Sequence, residues 1–167
     1  MTSPGLERFN TASDEAVRRL LLGCADVPRW ADEVAAGRPY ADVEAALRAA
    51  RTAAEPWTDG EVDAALARHP RIGERAEGQA RDAAHSRREQ SGVDPADTDV
   101  ARRLREGNRA YEDRFGHVFL IRAAGRSAAE ILAALDQRLT HDPETERRTA
   151  AEQLREIAVL RLQGELA

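Results

Sequence analysis

Aromatic side chains make up only 4% of this 167-residue chain, and cysteine occurs once, at Cys24. A lone cysteine excludes an internal disulfide, so no covalent staple closes the fold. With so few rings, the buried surface must come from alanine, leucine and a few valines and isoleucines. Those residues pack closely between helices and are poor material for a β-sandwich. No apolar run is long enough to span a bilayer, and none has the form of a signal-peptide core. The 25 basic and 30 acidic residues are interspersed, with a net charge of -5. No uninterrupted basic block is present of the kind that tracks a phosphate backbone. These absences predict a cytoplasmic all-α protein that binds neither nucleic acid nor membrane. Its length and 42% hydrophobic content suit one domain over residues 1–167.

Common chemical signatures are missing too. There is no glycine-rich phosphate loop, Cys-x-x-Cys pair, His-Glu-x-x-His helix or nucleophile elbow. The chain also lacks internal repeats and low-complexity linkers.

What is present reads as about eight helices with one short extended apolar segment near 118–122. Ser13, before Asp14 and Glu15, opens a first helix whose apolar load falls on Leu20, Leu21 and Leu22. A second begins near Pro28. A third carries Val43, Ala46, Leu47 and Ala50 and closes at Pro56, and Trp57 then serves as a core anchor. Thr58 and Glu61 form a capping-box pattern for a helix through Val62, Ala65 and Leu66, which must end by His69 because Pro70 follows. Residues 71–78 read as a loop and 79–90 as a short polar helix ended by Gly92 and Pro95. Leu104, Asn108, Tyr111 and Phe115 make an amphipathic stripe stopped by Gly116. Ser127 and Glu130 repeat the capping box ahead of Ile131, Leu132, Leu135 and Leu139. Asp142 and Pro143 open a final helix containing Leu154, Ile157, Ala158, Leu160 and Leu162.

Four histidines differ in context. The backbone of His69 is restricted by Pro70, which suits an acid or base held in fixed geometry, although context alone favours a histidine capping its own helix end. Ser86, Glu89 and Gln90 share a helix face and present a hydroxyl, a carboxylate and a carboxamide; a solvated polar face reads equally well. His85 and Glu89 stand at metal-ligand spacing but lack a convincing third ligand. Arg161 falls on the apolar face of the last helix, where a cation is out of place unless it snorkels or meets an anion, a structural glutamate and an anionic substrate group reading equally well. His117 and His141 read as loop and surface-turn residues. A helical interaction module and a metal-dependent hydrolase using His69, His85 and Glu89 remain the alternatives at this point.

These segments together resemble the 2-oxo-4-hydroxy-4-carboxy-5-ureidoimidazoline (OHCU) decarboxylase family. His69-Pro70-Arg71-Ile72-Gly73 is similar to its His-Pro loop, and Ser86-Arg87-Arg88-Glu89-Gln90-Ser91-Gly92 to its Ser-x-x-Glu-Gln-x-Gly signature. Phe115-Gly116-His117-Val118-Phe119 resembles its Phe-Gly-x-x-Phe segment, and Ile157-Ala158-Val159-Leu160-Arg161-Leu162 its ending. The chain departs from the family at Arg122, where cysteine is more usual, and His117 occupies a variable position.

The resemblance implies an all-α homodimer that converts the small molecule OHCU to (S)-allantoin in urate degradation without metal or organic cofactor. It implies His69 as the acid/base, with Glu89 positioning it. Substrate would be bound by Pro70, Ser86, Arg87, Arg88, Gln90, the segment Phe119, Leu120, Ile121, Arg122 and Ala123, and Arg161. The otherwise unexplained apolar run would then serve to offer backbone groups to a flat, amide-rich ligand.

Overall fold

A computed structural model of the chain describes residues 2–72, 89 and 98–167. Among them are eight α-helices and no strand: α1 (Pro4–Thr11), α2 (Asp14–Cys24), α3 (Pro28–Ala36), α4 (Val43–Ala53), α5 (Asp59–Leu66), α6 (Thr98–Phe115), α7 (Ala128–Arg138) and α8 (Pro143–Leu166). The all-α expectation holds. The set of helices differs from the expected one: α1 went unread, and the polar helix at 79–90 lies outside the described residues apart from Glu89, which is helical. Ser3 caps α1 by accepting from the Leu6 N–H, with Pro4 in the first turn. Only Leu6 and Phe9 supply its apolar side, too few to register as a period.

The other helix starts follow their local chemistry. At α5, the Thr58 and Glu61 side chains accept from each other's backbone N–H at 3.1 and 2.9 Å, and Ser127 and Glu130 repeat the arrangement at α7. Asp142 caps α8 by accepting from the Thr145 N–H at 2.9 Å. Gly116 ends α6 with a φ of 78°, a left-handed conformation that glycine adopts without a Cβ penalty.

The described residues fall into two compact units. The first comprises residues 1–65 and 155–167. Its core includes Trp30, whose indole donates to the Ala50 carbonyl at 2.9 Å, with Trp57 edge-on to it at 6.1 Å. Of the three leucines expected to carry α2, only Leu21 is buried, because successive residues turn 100° apart and one side of the helix faces inward. The second unit comprises residues 66–154. Leu104, Tyr111, Phe119, Ile131 and Leu135 are each at most 1% exposed there and pack with Ile72, Ile121, Ala123 and Leu132. A Cβ on Gly107 would stand 2.3 Å from the Leu135 side chain, so this mid-helix glycine lets α6 and α7 approach closely.

Candidate active site

α5 ends at Leu66, and the His69 main-chain N–H donates to the Leu66 carbonyl at 3.1 Å. One carbonyl of this helix end is thus satisfied by the His69 main chain. His69 and Pro70 are half-buried at the junction that follows.

α6 grips the chain just beyond them. Asn108, 3% exposed, donates through Nδ2 to the Ile72 carbonyl at 3.0 Å. One turn later, Glu112 accepts a two-pronged bond from Arg71, at 2.6 Å from Nε and 3.1 Å from Nη2. Asn108 and Glu112 stand four apart and so share a helix face, which sets two adjacent tethers on consecutive residues of the His-Pro loop. Arg71, Ile72 and α6 also border a groove of about 270 Å³, with Arg105 and Arg109 along it.

The segment after α6 is buried at Phe119, Leu120, Ile121 and Ala123, with Arg122 half-buried. Its hydrogen bonds alternate over residues 120–122. The Leu120 carbonyl accepts from Arg138 Nη1. The Arg122 N–H donates to Gln153 Oε1 and its carbonyl accepts from Arg126 Nε, both at 2.8 Å. The Ile121 N–H and carbonyl meet no hydrogen-bond partner among the described residues. In extended backbone successive residues direct their N–H and C=O groups to opposite edges, and the bonding of Leu120, Ile121 and Arg122 follows that pattern. The Leu120 carbonyl and both backbone groups of Arg122 are therefore anchored to the protein, while those of Ile121 are left to satisfy. The expectation of a segment lined with unpaired backbone groups thus narrows to fewer positions, since the Ala123 carbonyl also accepts, from the Arg126 N–H at 3.0 Å. The Arg122 side chain donates to the Ala124 carbonyl at 3.1 Å.

Behind the anchored groups lies a buried charged network that went unnoticed in the sequence. Glu146 is fully buried and Arg138 is 5% exposed. Arg138 Nε and Nη2 both bond Glu146 Oε1, at 2.8 and 2.5 Å, and the Tyr111 hydroxyl donates to the same oxygen at 2.5 Å. His141 Nδ1 stands 3.0 Å from Glu146 Oε2, so this residue, expected in a surface turn, reaches into the network. The guanidinium of Arg138 lies over the Phe119 ring, 4.7 Å from its centroid. Burial, and then donation to Glu146, push the Tyr111 phenol well above its ordinary pKa. A signal existed: Arg138 follows Leu135, and Glu146 precedes Ala150 and Leu154, at helical spacing. Charges on apolar faces are the same clue that singled out Arg161.

Of the remaining expected site residues, Glu89 is half-buried and Ser86, Arg87, Arg88 and Gln90 lie outside the described residues. Arg161, 7% exposed, belongs to the first unit, where its Nη1 stands 3.5 Å from the Cys24 carbonyl. The second unit brings together the His69 loop, α6 and residues 119–123. Among the described residues, no three His, Cys, Asp or Glu side chains are grouped to hold a metal ion, and no helix is long and apolar enough to cross a membrane.

Known proteins resemble this chain in sequence and in fold. The chain is 26% identical over 159 residues to the uric acid degradation bifunctional protein of Bacillus sp. (strain TB-90), covering 95% of this chain and 31% of that protein. It therefore spans about a third of that relative. It is 29% identical over 135 residues to a 2-oxo-4-hydroxy-4-carboxy-5-ureidoimidazoline decarboxylase of Haloferax volcanii, covering 81% of this chain and 79% of the other. A crystal structure of OHCU decarboxylase in the presence of (S)-allantoin shares the fold, with a TM-score of 0.70 at 24% identity over 90% of this chain and 96% of that one. The OHCU decarboxylase family model matches residues 10–163, a span that includes His69, Glu89, the 119–123 segment and Arg161. The chain belongs to the OHCU decarboxylase family of carboxy-lyases.

Proposed function

We propose that this chain decarboxylates OHCU to (S)-allantoin in urate degradation, with His69 as the acid/base and Glu89 holding it in position. The observation that carries this reading is the family match, which extends over residues 10–163. The chemistry is within reach of side chains alone. The departing carboxylate sits on a carbon next to a ring C=N bond, so when the C–C bond breaks its electron pair delocalises into the substrate, and CO2 leaves. What remains for the protein is to orient the substrate and deliver a proton to one face of the ureido-bearing carbon of the enol-like intermediate, while the hydroxyl on the neighbouring carbon gives up its proton to become the ring carbonyl, which gives one enantiomer. A histidine whose loop is tethered two and three residues further on is suited to that, because an acid/base must stay within hydrogen-bond reach of the reacting atom.

Substrate binding is assigned in the same reading to Pro70, Ser86, Arg87, Arg88 and Gln90, to the backbone of Phe119, Leu120, Ile121, Arg122 and Ala123, and to Arg161. The unpaired N–H and C=O of Ile121 match the donor-acceptor pairs of ureido and ring amides. Arg161 would fix an anionic or carbonyl group. The reading includes a cytoplasmic homodimer that takes this small molecule without metal, organic cofactor, nucleic acid or membrane.

The test is optical. Fresh OHCU is added to the purified chain, and circular dichroism follows the appearance of chiral allantoin. We expect enantiomeric product with the unaltered chain and most turnover lost in His69→Ala, with the far-ultraviolet spectrum unchanged. Near-normal chiral product from His69→Ala would remove His69 from its role.

A further inference from the structure

Nothing in the decarboxylation itself calls for Arg138, Glu146 or Tyr111, yet they form a buried polar network directly behind the segment assigned to substrate reading. Arg138 spends its whole donor fork inside the protein. Nε and Nη2 are fixed on Glu146, which leaves Nη1 directed at the Leu120 carbonyl. Glu146 is itself immobilised, accepting on Oε1 from Tyr111 and meeting His141 at Oε2. Tyr111 packs edge-on to Phe119 at 5.3 Å between ring centroids, and the Arg138 guanidinium covers the same ring. The network therefore holds residues 119 and 120 at both a side chain and a carbonyl.

In extended backbone, fixing the Leu120 carbonyl on one edge fixes where the Ile121 N–H and C=O emerge on the other. We propose that Arg138, Glu146 and Tyr111 are positioning residues for the decarboxylation, holding Leu120 so that the opposite edge of residues 119–123 meets the amide groups of the substrate in register. The inference rests on the functional reading above and extends it to residues that never touch substrate. Buried ion pairs in general add little stability over an apolar replacement, so a role in specifying one arrangement of the backbone it holds gives this network a purpose.

The test uses the double variant Arg138→Met with Glu146→Gln. It leaves no unpaired buried charge, and a glutamine at position 146 retains an acceptor for Tyr111, so the intended loss is the donor to the Leu120 carbonyl. The expected result is a cooperatively folding chain whose KM for OHCU and inhibition constant for (S)-allantoin both rise about tenfold, the worth of one well-placed hydrogen bond. The change in kcat should be smaller, and the shape of the pH-rate profile should not alter, because His69 and Glu89 are untouched. A folded double variant with both constants within twofold of the unaltered chain would overturn the proposal. Should that variant fail to fold, Tyr111→Phe decides the matter: it keeps the ring contacts and removes one bond to Glu146. A rise of about threefold in KM supports the network, in line with loosening one hydrogen bond at a distance, and an unchanged KM overturns it. Absence of chiral product from the unaltered chain would instead sink the functional reading, so the two failures are distinguishable.

Discussion

Replacing Asn108 with alanine asks whether α6 holds the His69 loop in place. The side chain donates to the Ile72 carbonyl at 3.0 Å, and residues 108 and 72 are only 3% and 5% exposed. Losing that bond costs about 1 kcal/mol, and leaving the Ile72 carbonyl buried without a donor costs about 1–3 kcal/mol more. One term works in the opposite direction. Asn108 Oδ1 is buried without a partner among the described residues, so its removal relieves a desolvation already incurred. The net expectation is a stability loss of about 1–2 kcal/mol, read from the urea midpoint at unchanged slope. The neighbouring Arg71–Glu112 tether is partly exposed and is worth at most about 1 kcal/mol, so it does not restore the loop by itself. Because His69 lies three residues upstream of the carbonyl that is released, kcat should fall by about 10-fold or more, the scale on which small misplacements of an acid/base act. Equilibrium unfolding and the chiral allantoin assay on one preparation measure both effects. Unchanged stability together with unchanged kcat would refute the reasoning that this buried amide places the loop.

Glu89→Gln should lower turnover by about 10²-fold, the scale of one mispositioned acid/base group; an unaltered pH-rate profile in that variant would argue against coupling to His69. Gly5→Ala should destabilise by about 1–3 kcal/mol, measured by chemical denaturation, because overpacking meets backbone that cannot give way. The added Cβ would stand 2.5–2.6 Å from backbone atoms of Glu165, Leu166 and Ala167, so a neutral result would mean that this contact yields freely. Alkaline stability follows from Tyr111, whose phenol is held neutral by burial and by donation to Glu146. With the folded pKa raised above the unfolded value, the contribution is complete below about pH 10 and is lost as pH rises beyond it. Unfolding free energy should therefore fall above that pH, less steeply in Tyr111→Phe; identical slopes would remove Tyr111 as the cause.

Much of the helical framework was legible because its signals are local. The paired caps at Thr58/Glu61 and Ser127/Glu130, the Asp142–Pro143 start and the Gly116 stop each depend on residues within one turn of one another. So does the apolar stripe through Leu104 and Tyr111, which faces the core as its spacing requires. α1 escaped because two apolar residues define no period, although Ser3 and Pro4 carried its start signal.

Pattern and motif order in the sequence alone determined the all-α class, the family and the segments that carry the candidate site. Only the tertiary structure decided which groups hold those segments. Asn108 meets Ile72 across 36 positions, Arg138 meets Leu120 across 18, and Tyr111 meets Glu146 across 35. Helical spacing states which side of its own helix a polar residue occupies. Which carbonyl or carboxylate waits opposite depends on how helices far apart in sequence pack, and no local preference encodes that partner. The same limit applied to residues 119–123: their apolar run predicted burial, while which backbone groups are anchored was decided by Arg138, Gln153 and Arg126 meeting Leu120 and Arg122.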